Sequence, residues 1–185
     1  MQYKSEEEFL KNYDSSQFEK LSMTTDIIIF SVSTGVQENY RKLNEKHFSV
    51  LLVKREDYPF KDKWCLPGGF VSIDETLDDA AKRILATETN LHNIYIEQLY
   101  TFGEVNRDPR MRIVSTAYMS LIDKNMLNEK IPKNASWFNM TILEDEKEIN
   151  ITFDNDIENF SVVISKTLKE MYIKSNVGEC QFLLW

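Results

Sequence analysis

Cysteine, histidine and long apolar runs are all scarce in this 185-residue chain, and each shortage removes a class of function. Two cysteines, Cys65 and Cys180, cannot make a disulfide framework. Cys65, directly before Leu66-Pro67, reads as a small buried hydrophobe rather than a reactive thiol. The two histidines, His47 and His92, are isolated and form no metal-binding set, and no Ser-His-Asp or Cys-His arrangement can be assembled. No apolar stretch approaches the roughly 20 residues that a helix needs to cross a bilayer. The opening residues, MQYKSEEEF, hold no apolar export-signal core, so a cytoplasmic protein with no membrane association is expected. Basic charge is also short, with 22 Lys and Arg against 30 Asp and Glu and a formal net charge of −8. Duplex DNA is held by basic patches that displace counterions, and no basic run is present, so no DNA binding by this domain alone is expected.

What is present concentrates in residues 64–91, WCLPGGFVSIDETLDDAAKRILATETNL. Pro67-Gly68-Gly69 supplies a tight turn that a strand cannot continue through. Thr76 followed by Asp79 is a helix start, and Asp78 and Asp79 complement the positive end of the helix dipole. Leu77, Ala81 and Leu85 recur at helical spacing, and Asn90 suits the left-handed stop. Together they predict a helix over residues 76–89. Positions 84, 87 and 88 share one face of that helix, and three carboxylates there would form a cluster of hard oxygen ligands for Mg²⁺ or Mn²⁺. That face reads Ile84, Thr87 and Glu88: one carboxylate, one neutral hydroxyl and one side chain with no oxygen.

Residues 64–91 resemble the signature of the Nudix hydrolase superfamily. That signature is a Gly, five residues, a Glu, seven residues, then Arg-Glu-aliphatic-x-Glu-Glu-x-Gly-aliphatic. Gly69, Glu75 and Arg83 fall on its Gly, first Glu and Arg, Glu88 on the second of its paired glutamates, and Leu85 and Leu91 on its aliphatic positions. Ile84 and Thr87 fall on the other two glutamates and Asn90 on the late Gly, so the box is degenerate. FLKNYDSSQFEKLSMTTDIIIF (9–30), LYTFGEVNRDPRMRIVSTAYMSLI (99–122), SWFNM (136–140), FDNDIENFSVVISKTLKEMY (153–172) and GECQFLLW (178–185) resemble one subgroup. It contains ADP-ribose pyrophosphatase-like proteins and Nudix-related transcriptional regulators. The resemblance implies an α/β fold, a mixed sheet sandwiched between helices, and a homodimer.

The chain is expected to form a single domain over 1–185, with an N-terminal segment at 1–22 that begins as a short helix. Strands are expected at 26–32, 49–54, 94–102, 112–122 and 134–142, with a polar hairpin loop at 35–47. LEDEKEIN (143–150) reads as a solvated loop or helix start. Residues 154–174, carrying Ile157, Phe160, Val163, Ile164, Leu168 and Met171, read as a closing amphipathic helix.

A nucleotide-sugar-type small molecule such as ADP-ribose is the ligand that the resemblance implies. Glu88 is the candidate metal ligand, with Mg²⁺ or Mn²⁺ needed only if the protein is catalytic. Glu75 and Arg83 complete the candidate catalytic set. Gly68 and Gly69 are candidate ligand contacts, as are Arg110 and Arg112 from the basic cluster Arg107, Arg110 and Arg112, because arginine forks suit diphosphates. Phe102 is the candidate for stacking on a base, among Tyr100, Tyr118, Trp137 and Phe138. Three readings follow: a sensor with standard catalysis impaired or absent, a metal-dependent pyrophosphohydrolase with a reduced metal site, and a scaffold or dimerisation domain with no small-molecule ligand.

Overall fold

A computed structural model describes residues 4–34, 46–127, 130–166 and 173–175. One mixed sheet dominates it, in the order β10-β9-β8-β7-β2-β1-β6-β5, with β3 paired to β2 and β4 to β1. The strands are β1 (Ser22–Thr34), β2 (Lys46–Lys54), β3 (Trp64–Cys65), β4 (Gly68–Phe70), β5 (Glu97–Phe102), β6 (Ile113–Ile122), β7 (Ala135–Glu144), β8 (Glu148–Asp154), β9 (Asn159–Ser165) and β10 (Ile173–Ser175). Two helices accompany them, α1 (Glu6–Asn12) and α2 (Leu77–Thr89). This is the mixed α/β architecture expected from the sequence.

Helix α2 forms as its local code dictates. Thr76 Oγ1 accepts from the Asp79 amide at 3.1 Å, and Asn90 turns left-handed at φ 58° to end the helix. The Leu77, Ala81 and Leu85 stripe packs with Ile84 against Ile27, Ile29, Leu51 and Val53 on one face of the sheet. Residues alternate along a strand, so Ile28, Val50 and Leu52 face the other way and meet Phe138, Phe153, Phe160 and Val162.

The C-terminal expectation is corrected. Residues 154–166 are not part of a closing helix: β8 ends at Asp154, a turn follows, and β9 begins at Asn159. Phe160, Val162 and Ile164 pack at a period of two, which only a strand can place on one face. Asn155 Oδ1 accepts from the amides of Ile157 and Glu158 at 2.9 and 2.7 Å, a side-chain turn that separates two strands. Residues 167–172 lie outside the described residues, as does most of the loop expected at 35–47. LEDEKEIN is not a helix start: Leu143 and Glu144 end β7, residues 145–147 make an exposed hairpin turn, and residues 148–150 begin β8.

Strand β1 changes partners along its length. Residues 24–26 pair antiparallel with β4, and residues 30–34 pair antiparallel with β2. Its other edge pairs in parallel with β6 from Ser22 to Ser31. Where β1 leaves β2 for β4, the sheet opens and a cleft begins.

Candidate functional site

The cleft has a volume of about 480 Å³. Its walls come from the start of β1 (Thr24, Asp26), the end of β2 and its loop (Val53–Asp57), β3 and β4, the end of α2 (Thr87, Glu88) and the β5–β6 loop (Arg107, Asp108, Arg110). Gly68 runs so close over Asp26 that a Cβ there would strike the Asp26 carboxylate and stand 3.2 Å from the Thr25 carbonyl oxygen. A Cβ on Gly69 would stand 3.3 Å from two carbons of Ile84. The glycine pair therefore lets the loop backbone lie directly on the sheet and on the helix.

Asp26 sits at the cleft floor. Ser115 Oγ donates to it, and Arg107 stands 3.6 Å away with its side chain only 2% exposed. Burial pushes the Asp26 carboxyl above its ordinary value, with Ser115, Arg107 and Arg55 acting in the opposite direction. Arg110 forms a two-pronged pair with Asp108, at 2.9 and 2.8 Å, and its guanidinium lies 5.5 Å from the Phe70 ring centre. Those hydrogen bonds from Arg110 hold the Asp108 carboxyl below its ordinary value.

On α2, Glu88 is half-buried in the cleft. Burial raises its carboxyl, the nearby Glu56 carboxylate adds to the rise, and Arg55 opposes it. Thr87 Oγ1 donates to the Ile84 carbonyl at 3.2 Å, and Ile84 is 2% exposed within the core. The helix face that would carry a carboxylate cluster is thus part core and part self-bonded. Among the described residues, no group of three or more His, Cys, Asp or Glu side chains is placed to hold a metal ion. Residues 84, 87 and 88 as they stand do not fit a cluster of hard oxygen ligands.

Glu75 and Arg83 meet each other outside the cleft. Arg83 donates to Glu75 at 2.9 and 2.7 Å and to the Phe70 carbonyl at 2.9 Å, and Glu75 accepts from the Ser72 amide at 2.7 Å. They brace the loop after β4 against α2. The Arg83 hydrogen bonds, then the Ser72 amide, hold the Glu75 carboxyl down at about 2, against an ordinary value of 4.5. A carboxylate with a depressed folded pKa contributes fully above its unfolded pKa and loses that contribution as pH falls through its folded one. Glu75→Gln should therefore lower the urea midpoint near neutral pH. Its difference from the parent should shrink as pH falls from about 4.5 to about 2. A difference that stays constant across that range would show that the pair does not act in this way.

Of the ligand contacts expected from the sequence, Gly68, Gly69 and Arg110 line the cleft, and Arg112 and Phe102 do not. Arg112 donates to the Glu104 carbonyl at 2.7 Å. Phe102 lies on β5, the outer strand of the sheet, paired with Ser115 and edge-on to Tyr100 at 4.9 Å. Tyr118 and Phe138 are buried in the core. The aromatic side chains on the cleft wall are Phe60, Trp64 and Phe70, which had no distinguishing sequence signal. Arg55, Asp26 and Glu56 also escaped sequence reasoning.

Cys65 lines the cleft beside Arg55, and burial pushes its thiol up to about 11, so it is not a thiolate near neutral pH. At the rim, Glu158 from the β8–β9 turn accepts from Trp64 Nε1 at 2.7 Å and from Lys54 Nζ at 3.1 Å. Both donors are cleft residues, so the C-terminal hairpin is clasped to the cleft wall.

A sequence profile described as the NUDIX domain matches residues 40–157. The chain is 32% identical over 157 residues to the ADPR responsive transcriptional repressor NtrR of Acinetobacter baylyi, spanning 83% of this chain and 57% of that protein. It is 33% identical over 100 residues to an ADP-ribose pyrophosphatase of Methanocaldococcus jannaschii, spanning 54% of this chain and 59% of that protein. Among solved structures, the NUDIX domain of Shewanella oneidensis NrtR complexed with ADP ribose superposes with a TM-score of 0.57 at 31% identity, covering 72% of this chain and 82% of that one. A MutT/nudix family protein from Enterococcus faecalis gives a TM-score of 0.65 at 26% identity, covering 91% of this chain and 61% of that one. The chain therefore spans less than two thirds of the length of both curated relatives.

Proposed function

Since this chain belongs to the NUDIX domain family, we propose that it binds ADP-ribose or a related nucleoside diphosphate derivative as a sensor, with standard metal-dependent hydrolysis impaired or absent. The carrying observation is Ile84. It lies in the core beneath Gly69, at the position where the family signature has an acid. The ligand class is supported by two similar proteins, a repressor named as ADPR responsive and a NUDIX domain crystallised with ADP ribose. Diphosphate binding suits a cleft lined by Arg55, Arg107 and Arg110, since guanidinium forks match phosphate oxygens. Phe60, Trp64 and Phe70 are the aromatic residues of the cleft wall and the candidates for stacking on a base. We also read the protein as a homodimer, which the exposed Leu99 and Tyr100 on the outer strand β5 support.

The alternative is a metal-dependent pyrophosphohydrolase. It is favoured by the Glu56 carboxylate standing close enough to Glu88 to raise its pKa, and by the relative named as a pyrophosphatase. Calorimetric titration with ADP-ribose, in EDTA and in Mg²⁺, followed by product analysis, separates the two readings. The sensor reading expects binding in both conditions and intact ligand afterwards. Release of AMP that requires Mg²⁺ would establish the hydrolase.

A further inference from the structure

The two carboxylate oxygens of Asp26 have different surroundings. Oδ2 is engaged from within the protein, by the Ser115 hydroxyl and by Arg107 at 3.6 Å. Oδ1 meets no hydrogen-bond donor among the described residues. Nor is it one of their enclosed, unpartnered side-chain atoms, which are Thr25 Oγ1, Arg55 Nε and Asn150 Oδ1. It therefore opens into the cleft, where 19% of the Asp26 side chain is exposed. The sheet keeps that opening clear. Asp26 stands beside Gly68 on β4 and Ala117 on β6, and neither has a side chain long enough to cover a carboxylate. A side chain at position 68 would meet Oδ1 directly. Burial works against the negative charge, and Ser115, Arg107 and Arg55 offset only part of that effect.

We propose that Asp26 is a specificity-determining residue, whose Oδ1 accepts a hydrogen bond from a sugar hydroxyl of the ligand. The proposal rests on the ligand reading given above. A carboxylate repels a phosphate, so Asp26 adds nothing to the grip on a diphosphate. An ionised carboxylate only accepts, so it needs a ligand group that donates. Arg55, Arg107 and Arg110 line the same cleft and oppose a cationic donor. A neutral hydroxyl meets both conditions, and its hydrogen bond to an ionised acceptor is stronger than one between neutral groups. Thr24 lies two residues away on the same face of β1 and also lines the cleft, so a second hydroxyl of a vicinal pair has a polar neighbour.

The test is calorimetry in EDTA on the parent protein and Asp26→Asn. The probes are ADP-ribose, its hypoxanthine analogue, ribose 5-phosphate and inorganic pyrophosphate. The expected result has two signs. Asp26→Asn loses at least about tenfold in affinity for ADP-ribose and the hypoxanthine analogue alike, and keeps or gains affinity for pyrophosphate, which carries no sugar. Equal losses for every probe would mark a merely structural role and overturn the proposal. A loss that disappears with the hypoxanthine analogue would assign the donor to the amino group of the base and overturn it too. Parent-like affinity for ADP-ribose in Asp26→Asn would overturn the proposal and leave the ligand reading intact. Binding of ribose 5-phosphate that depends on Asp26, without any ADP-ribose binding, would support the proposal and refute the ligand reading. A parent protein that binds no sugar probe would overturn both. Thermal melting checks folding. If Asp26→Asn is unfolded, Ser115→Ala takes its place, since it keeps the charge and removes the brace on Oδ2. A loss confined to the sugar probes is then expected, and parent-like binding would overturn the proposal.

Discussion

Ile84→Glu lowers stability by about 3–5 kcal/mol, the usual consequence of an unpaired charge placed in a core. The substitution restores the acid of the family signature, so the simplest expectation would be a recovered metal site. The packing opposes that outcome. Ile84 is 2% exposed, belongs to the cluster of Ile27, Leu51, Val53 and Leu85, and lies under Gly69 at a distance that leaves no room for water. The measurement is a thermal melt. A chain of this size loses roughly 2–4 °C for each kcal/mol, so the midpoint should fall by roughly 10 °C. A variant that melts near the parent, or that regains its melting point when Mg²⁺ is added, would show that the helix can turn a carboxylate into the cleft. The sensor reading would then lose its main support.

Gly68→Ala costs about 1–3 kcal/mol and also weakens ligand binding, through overpacking at the cleft floor. A new Cβ would meet the Asp26 carboxylate. That side chain cannot simply swing aside, because Ser115 and Arg107 hold it, and the new Cβ would also stand 3.2 Å from the Thr25 carbonyl oxygen. Either β4 lifts from β1 or Asp26 shifts with its partners, and both routes change the floor on which a ligand rests. Gly69→Ala is the natural control, since its Cβ would meet only two methyl-bearing carbons of Ile84 at 3.3 Å. Melting and calorimetry on the pair should rank Gly68→Ala as the more damaging on both counts. Equal, small effects would mean that Asp26 is free to move.

The parts of this molecule governed by local rules were legible in its sequence. Helix α2 matches its cap, its apolar stripe and its stop to within one residue, because each is set by residues three or four apart. Strands β1, β2, β6 and β7 were legible for a similar reason, as apolar or β-branched runs between polar turns. Residues 154–166 misled because Ile157, Phe160, Val163 and Ile164 fit a helical period as well as Phe160, Val162 and Ile164 fit a period of two. The Asn155 turn and a β-branched density centred on Val162 decided for strands. The cleft was half legible. Gly68, Gly69 and Glu88 belong to one contiguous motif, and Arg110 to a visible basic cluster. Arg55 and Asp26 carry no local mark. They meet only because β1 leaves β2 at the point where β4 joins it, a fact of topology that spacing along the chain does not encode.

The Glu158 clasp carries a thermodynamic obligation in both directions. Lys54 and Trp64 belong to the cleft wall, yet their hydrogen-bond partner belongs to the turn between β8 and β9. An anion that draws Lys54 inward must compete with Glu158, and each factor by which it loosens that turn is a factor by which a fixed turn weakens the anion's own hold. Reciprocity of this kind needs no moving domain and no large displacement, only one cation with two possible creditors. Whatever fixes the β8–β9 turn can thus tune how tightly the cleft grips, and the cleft can tune how firmly that turn is held.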